Sequence, residues 1–260
     1  MVKLKLPEKR PKPLLLWIVL SILIGLLILL GGWALLKKIE KFTVPSGLAS
    51  LGGIVYINLD NRPDRLKLIK EELVKLGADE SKMHRVAGVF VPKNGHKGCI
   101  QSHILALRIA KLNNWPTVGI FEDDAELNEN VSPSEFKIRL ETALSELPRD
   151  WDVLMLGTAN TNKTTIPGKS VIQKLVSATT SFAYIVNRNY YDKILTLFEH
   201  CNTMMPNDKW GDDGGHEPYA LDQKWMDLQK KDNWFCFTTD LMRQRNIVST
   251  INAKGGEIHI

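Results

Sequence analysis

The sequence predicts an α/β fold, a sandwich of helices around a largely parallel central sheet. Short apolar runs rich in β-branched residues alternate along the chain with segments whose apolar residues recur at helical spacing. The 260 residues are 44% hydrophobic and 24% charged, which suits one domain plus an accessory segment and excludes wholesale disorder. Because ligands bind at the carboxyl ends of strands in such sheets, we expect functional residues in the loops that follow the strands.

The predicted elements begin near residue 53. Strands are expected over residues 53–60, 84–90, 117–121, 152–156, 181–186 and 234–238. Helices are expected over residues 65–76, 102–112, 134–147, 188–200 and 222–230. Gly77 is placed as the stop of the first of these helices, and Ser132 or Ser134 as the cap of the third. This alternation is typical of sheets whose neighbouring strands are mostly parallel.

The N-terminal segment differs from the rest of the chain. Residues 14–36 contain no charge, and a helix of that length would reach about 34 Å, enough to cross the apolar core of a membrane. Trp17 and Trp33 lie near its ends, where membrane interfaces favour aromatic rings. Five basic residues precede the span and three follow it, which favours a cytosolic N-terminus. We expect the signal anchor of a type II membrane protein, with a cleaved signal peptide as the alternative.

This interpretation divides the chain into four parts. Residues 1–13 form a basic cytosolic tail, 14–36 the transmembrane anchor, 37–52 a stem interrupted by Pro and Gly, and 53–260 the folded domain. The domain would lie on the lumenal or external side of the membrane. That membrane would be the ER or Golgi for a eukaryotic or viral protein, and the inner membrane for a bacterial one.

The charge distribution argues against a nucleic-acid-binding protein, and the cysteine pattern does not indicate a zinc-binding one. The net charge is +5, but residues 1–41 hold eight Lys or Arg and two acids, and the remainder holds 26 basic and 27 acidic residues. The folded part therefore has no basic excess for nucleic acid. Three cysteines allow at most one disulfide within the chain, and the pair is not specified. No Cys-x-x-Cys or Cys/His metal spacing is recognised, so zinc is not indicated.

The most informative loop is the acidic run Glu122-Asp123-Asp124, which follows the strand predicted at 117–121. Neighbouring carboxylates repel one another, and a hard divalent cation such as Mn²⁺ or Mg²⁺ relieves that repulsion. Such a cation would also neutralise the charge of a departing diphosphate. The alternatives are a solvated acidic turn, or a cap for a short helix through residues 126–129.

Six segments occur in an order that is found in a known family. They are VYINLDNRPDR at 55–65, GCIQSH at 98–103, IFEDDA at 120–125, WDVLMLG at 151–157, AYIV at 183–186 and ALD at 220–222. In this order they resemble glycosyltransferase family 25, which contains bacterial lipopolysaccharide sugar transferases and animal procollagen galactosyltransferases. The resemblance covers residues 54 to about 250 and implies a nucleotide-sugar-binding fold of the GT-A type.

The resemblance also implies an activity. A hexose, with galactose or glucose favoured, would pass with inversion from a UDP-sugar to a hydroxyl of a glycan, lipid-linked, lipopolysaccharide or protein acceptor, with Mn²⁺ or Mg²⁺ as cofactor. A non-catalytic relative that acts as a binding module is the alternative function. A metal-dependent phosphotransferase or hydrolase is a third interpretation, which the absence of a GxxxxGK[ST] phosphate loop disfavours.

The resemblance assigns roles to individual residues. Asp124 is expected to ligate the metal directly, Glu122 to be a second ligand, and Asp123 to contact the ribose or a metal-bound water. The substrate-binding set is Asn58, Arg62, Arg65, Ser102, His103 and Asp123. For Arg65 an ion-paired helix residue is the alternative, and for His103 a structural histidine at a helix start.

An inverting transfer requires a base within reach of the acceptor hydroxyl. Asp222 is the catalytic candidate that the resemblance favours, with Asp213 and Glu217 as rivals and with a helix cap as its own alternative. Where the family often has Ser-Asp-Ile, this chain has residues 249–251 as Ser-Thr-Ile, so one expected acid is missing. The tail at 257–259 offers a remote candidate for a late metal ligand.

Overall fold

The computed structural model describes residues 13–40, 46–207 and 218–246, in two units that divide after Val44. The first unit contains a helix, α1 (Pro13–Glu40), over the segment predicted as an anchor. Side chains of α1 are described for residues 17–33. A membrane span requires about 20 apolar residues in one helix, and among the residues described here no helix is both long and apolar enough. The transmembrane assignment of 14–36 is therefore not confirmed.

The second unit is built on an eight-stranded sheet. In chain order the strands are β1 (Gly53–Asn58), β2 (Met83–Ala87), β3 (Thr117–Glu122), β4 (Ala125–Leu127), β5 (Val153–Met155), β6 (Ala159–Thr165), β7 (Ile172–Thr179), β8 (Ala183–Asn187), β9 (Trp234–Phe237) and β10 (Met242–Gln244). The helices are α2 (Pro63–Lys75), α3 (Gly95–Leu112), α4 (Pro133–Glu146), α5 (Tyr191–Met204), α6 (Leu221–Lys224) and α7 (Met226–Gln229). The sheet order is β2-β1-β3-β8-β5-β9-β7-β6, and β4 pairs with β10 separately.

Most strands of this sheet run in one direction. β1 is parallel to β2 and β3, and β5 is parallel to β9. β8 runs against both of its neighbours, β3 and β5, and β7 runs against β9 and β6. The predicted α/β sandwich with a largely parallel sheet is confirmed. Because β8 is reversed, its first residues lie at the same sheet edge as the carboxyl ends of β1 and β3.

Each face of the sheet is covered by its own hydrophobic cluster. Side chains of a strand alternate between the faces, so Val55 and Ile57 join the cluster of α3 and α5. Ile54 and Tyr56 join the cluster of α2 and α4 on the other face. A strand buried on both faces has the continuous apolar pattern that predicted β1 and β3. Both faces of the sheet are thus covered by helices, and the carboxyl ends of β1 and β3 remain for a functional site.

Several elements differ from the prediction. Helix α3 begins at Gly95, earlier than the expected residue 102, and the helix expected at 222–230 forms as α6 and α7. β4, β6, β7 and β10 were not predicted. All three cysteines are free thiols, so the possible disulfide does not form.

Candidate active site

Two cavities adjoin at the edge where β1 and β3 end. Their volumes are about 680 and 670 Å³, and Cys99, Glu122 and Gln244 line both of them. Apolar side chains between β2 and α3, with Ile57 and Leu59, form a wall of the first cavity. Polar groups of α6 and of the turn between β7 and β8 line the second. The site is therefore a divided cleft with one partly apolar and one mainly polar compartment.

The predicted acidic run lines the first cavity. Glu122 ends β3, and Asp123 and Asp124 form the turn into β4, with only 8% and 6% of their surfaces exposed. Burial disfavours the charged form of a carboxyl group, so each acid needs a compensating partner. The three acids have different hydrogen-bond partners, and these partners indicate a different role for each acid. The acids are thus not a solvated acidic turn.

Asp123 is held by protein groups on both oxygens. Oδ2 accepts a hydrogen bond of 2.8 Å from Asn58 Nδ2, and Oδ1 accepts one of 3.0 Å from Arg65 Nη1. Burial raises the pKa of Asp123, against the lowering effect of Asn58 and Arg65. Asn58 also donates to the carbonyl oxygen of Arg62, at 3.0 Å. These bonds fix the acidic turn to the end of β1 and the start of α2.

Asp124 has one oxygen that lacks such support. Oδ2 accepts a hydrogen bond of 2.9 Å from Gln244 Nε2 and lies 4.0 Å from Arg65 Nη1. Oδ1 is buried and has no hydrogen-bond partner within the described part of the chain. Burial and the neighbouring Glu122 charge raise the pKa of Asp124 to about 7. A buried carboxylate oxygen without a donor fits a ligand for a hard cation.

Glu122 is held through a chain of buried side chains. Its Oε1 accepts a hydrogen bond of 2.6 Å from Ser181 Oγ and lies 3.2 Å from His103 Nε2. His103 is fully buried, and its Nδ1 lies 2.8 Å from the Tyr184 hydroxyl. Burial alone would raise the pKa of Glu122, but the hydrogen bonds from His103 and Ser181 lower it below its usual value. Glu122 is therefore ionised and fixed by one oxygen.

The other predicted substrate-binding residues do not all line the first cavity. Arg65 is buried and lines the first cavity, where it pairs with Asp123. Arg62 instead turns to Asp64, with bonds of 2.9 and 2.6 Å. The Ser102 hydroxyl accepts from the backbone N–H of Val89 at 2.8 Å and donates to the Gly98 carbonyl at 2.7 Å. Ser102 thus lines the cavity with its hydroxyl already engaged.

Asp222 lies on α6 and lines the second cavity, as does Glu122. Its Oδ2 accepts a hydrogen bond of 3.0 Å from the backbone N–H of Thr180, which has a left-handed φ of 74°. The helix cap residue is Ala220, so Asp222 does not cap α6. The rival bases Asp213 and Glu217, the segment 249–251 and the tail at 257–259 lie outside the described residues.

Sequence reasoning missed several residues of the cleft. Gln244 comes from β10, a strand of three residues that pairs with β4 and places Gln244 opposite Ala125. No local pattern predicts a strand this short. Ser181 and Tyr184 lie in a segment predicted as a strand, and Cys99 precedes His103 by one helical turn. A search for i, i+4 pairs along α3 would have found Cys99.

Comparison with known proteins supports a class of activity. Residues 93–210 match the family model described as glycosyltransferase family 25 (LPS biosynthesis protein). This region contains α3, the acidic run and the strands from β3 to β8, which together carry about half of the residues that line the cleft. The protein is a glycosyltransferase. The match covers just under half of the chain and confirms the resemblance to glycosyltransferase family 25 inferred from six sequence segments.

Solved structures show more distant likenesses. Mannose-1-phosphate geranyltransferase from Thermus thermophilus has 9% identity and a TM-score of 0.43, over 71% of this chain and 72% of that one. A197 from STIV has 11% identity and a TM-score of 0.40, over 76% and 86%. A glycosyltransferase involved in glycosylation of the major capsid of PBCV-1 has 12% identity and a TM-score of 0.38, over 72% of this chain and 93% of that one. No curated protein matches. Because these values are low, the class of activity rests on the family match, and the GT-A type stays a prediction.

Proposed function

We propose that this glycosyltransferase moves a hexose, with galactose or glucose favoured, from a UDP-sugar to a hydroxyl of a glycan, lipopolysaccharide or protein acceptor. The transfer would invert the anomeric centre and depend on Mn²⁺ or Mg²⁺. The observation that carries the proposal is the buried Asp124 Oδ1, for which the described residues offer no hydrogen-bond donor. It belongs to a cavity that Glu122 also lines, and two such carboxylates suit a hard cation.

Asp124 and Glu122 are the residues that would hold the cation. Asp124 contributes the oxygen without a donor, and Glu122, whose Oε1 is bound to Ser181, would present Oε2 to the cation. When bound, the cation would neutralise charge on the departing diphosphate. Asp123 would act beside them, since Asn58 and Arg65 already occupy its two oxygens and hold the acidic turn in place.

The first cavity suits the nucleotide part of the donor. Its apolar wall includes Val89, Val91 and Phe90, and the Phe90 side chain is 49% exposed. An exposed aromatic ring beside apolar side chains can pack against the flat face of a base. Arg65 supplies a buried positive charge to the lining of the same cavity. These groups support a nucleoside diphosphate as the donor moiety.

Asp222 is the proposed base for the acceptor hydroxyl. It lines the mainly polar second cavity, which meets the first at Glu122. The Thr180 N–H holds one carboxylate oxygen, at 3.0 Å. A base held by one oxygen keeps the other for proton transfer within a fixed geometry. The hydroxyl proton would pass to Asp222 as the hydroxyl oxygen attacks the sugar and the diphosphate leaves.

The proposal is tested by measuring release of UDP by the full chain. UDP-galactose, UDP-glucose and UDP-N-acetylglucosamine are each supplied with and without Mn²⁺. We expect metal-dependent release with at least one donor and a loss of about 100-fold or more in Asp124→Asn. Asp192→Asn is the matched control, because it removes the same charge from an exposed position on α5.

Three outcomes would contradict the proposal. Equal release with and without metal, in a chelator-treated sample, would remove the metal-dependent mechanism. Absence of release from every donor by a folded protein that binds UDP would favour the non-catalytic binding module instead. Loss of activity in Asp192→Asn as well as Asp124→Asn would show that charge removal, and not the ligand, is responsible.

A further inference from the structure

A second group of metal-ligating side chains lies where the two cavities meet. One ligand atom each from Cys99, His103 and Glu122 lie within 4.8 Å of one another. Cys99 and His103 are one turn apart on α3, and Glu122 ends β3. Because the third member comes from another element, the sequence alone did not indicate the group. The fold brings together one thiol, one imidazole and one carboxylate.

This donor set differs in chemistry from that of Asp124 and Glu122. Sulfur and imidazole nitrogen suit a borderline-soft cation such as Zn²⁺, whereas Mg²⁺ and Mn²⁺ prefer oxygen. Zinc bonds of about 2.0–2.3 Å place neighbouring ligand atoms about 3.3–3.7 Å apart in a tetrahedron. His103 Nε2 and Glu122 Oε1 are already 3.2 Å apart. A small adjustment of side chains would therefore complete the arrangement.

The surroundings of the three side chains also fit a metal site. Metal-binding histidines usually donate their second ring N–H to a fixed partner, and the Tyr184 hydroxyl lies 2.8 Å from His103 Nδ1. That hydroxyl can donate or accept, so it can hold either tautomer of His103. Ser181 holds Glu122 in the same way. Cys99 and Glu122 line both cavities, which gives an ion a route of entry and a fourth ligand position.

We propose that Cys99, His103 and Glu122 bind Zn²⁺ and that this binding inhibits the transferase. Zinc on the Oε1 side of Glu122 would draw charge from the carboxylate whose Oε2 is proposed for the Asp124 cation, and two dications on one carboxylate repel each other, so the second ion would bind more weakly. Binding transfers the Cys99 thiol proton to solvent and forms a sulfur–zinc bond. Zinc binding itself does not depend on the proposed function, whereas the inhibition rests on it.

Binding is tested on the full chain with Co²⁺ as the probe and Zn²⁺ as its competitor. A cobalt–thiolate bond gives a charge-transfer band in the near ultraviolet, which we expect in the wild type and not in Cys99→Ser. Zinc affinity, measured against a chromophoric chelator, should fall by more than about 100-fold in Cys99→Ser, beyond the loss typical of an outer-shell partner. Cys201→Ala removes another buried thiol, on α5, and should retain both the band and the affinity.

A wild-type protein without the band, or a band that persists in Cys99→Ser, would overturn the site. Tyr184→Phe provides a second variant that keeps all three ligands, and an affinity loss of about 10–100-fold is expected there. No change in zinc affinity in Tyr184→Phe would contradict the assigned role of its hydroxyl.

Inhibition is measured separately, as the effect of Zn²⁺ on UDP release at saturating Mn²⁺. Inhibition of the wild type that disappears in Cys99→Ser supports the shared use of Glu122. Equal inhibition of both proteins overturns it. A wild type without transfer activity would be a failure of the proposed function, and the cobalt spectrum would still decide whether the zinc site exists.

Discussion

Asp124 carries a buried carboxylate oxygen for which the described residues provide no hydrogen-bond donor. In a stable fold such groups are rare, because an unpaired buried polar atom loses the hydrogen bonds that water gave it. Gln244 supports only the other oxygen, and the Glu122 charge is close enough to raise the pKa of Asp124. The residue is therefore expected to reduce the stability of the metal-free protein.

We expect Asp124→Asn to stabilise the metal-free protein by about 1–3 kcal/mol at pH 8 and to have little effect near pH 4. The pKa of Asp124 is about 7 in the folded protein, against an ordinary value of 3.8. Between these values the folded state binds the extra proton, so wild-type stability falls as the pH rises. The asparagine variant lacks this dependence. Urea unfolding of both proteins at pH 4 and pH 8 measures it, and a less stable variant at pH 8 would contradict the prediction.

At the scale of elements, the packing of α3 explains why its Gly-x-x-x-Ser-His segment has these residues at positions 98, 102 and 103. A Cβ atom at Gly98 would lie 2.2 Å from the Val89 carbonyl oxygen, so only glycine allows the helix to approach the cavity wall. Ser102, one turn later, binds Val89 N–H and the Gly98 carbonyl, and His103 reaches Glu122. Helix α3 thus positions both the apolar wall of the first cavity and the carboxylate of Glu122.

The same helix shows why sequence reasoning placed its start too late. Glycine lowers helix propensity, so residues 95–101 were expected to precede the helix. In the structure Asn94 caps it by accepting a hydrogen bond from the Lys97 N–H, and the close approach at Gly98 favours glycine over any larger residue. Packing between elements decided the boundary, and local propensity could not reveal it.

Gly98→Ala should lower the free energy of unfolding by about 2–3 kcal/mol, because the added methyl group must push α3 away from a backbone carbonyl. UDP binding should weaken in parallel, since the displaced segment lines the first cavity. Calorimetry measures both quantities. Leu105→Ala, at a partly exposed position of α3, is the control and should leave UDP binding unchanged; equal effects of the two variants would exclude the close-approach explanation.

At the scale of the whole molecule, the sheet collects the cleft from distant parts of the chain. The strands β1 and β3 and the acidic run were predictable, because continuous apolar runs and consecutive acids are visible in the sequence. β6 is polar over most of its length, and β4 and β10 have three residues each, so no periodicity predicted them. The partners of the acids, Gln244 and Ser181, depend on this topology and were missed with it.

The proposed nucleotide site makes a prediction for the whole chain in hydrogen exchange. Addition of UDP with Mn²⁺ should slow exchange in segments 57–65, 88–103, 122–124 and around Gln244, which together line the first cavity. Residues 159–165 of β6 lie at the opposite edge of the sheet order and should exchange at an unchanged rate. Protection confined to a single one of the four segments, or equal protection of β6, would contradict a nucleotide bound in this cavity.

The reversed direction of β8 has a consequence for how such a protein can change. The first cavity is lined in part by α2 and α3, and these helices also cover the sheet. A change in the length of either helix would therefore disturb the hydrophobic core. The wall at Thr180 and Ser181 is only the short connection between β7 and β8, which contains no helix. Short insertions there need no rearrangement of a crossover helix. Laboratory evolution of acceptor preference should therefore randomise residues 180–182 first and leave the donor side intact.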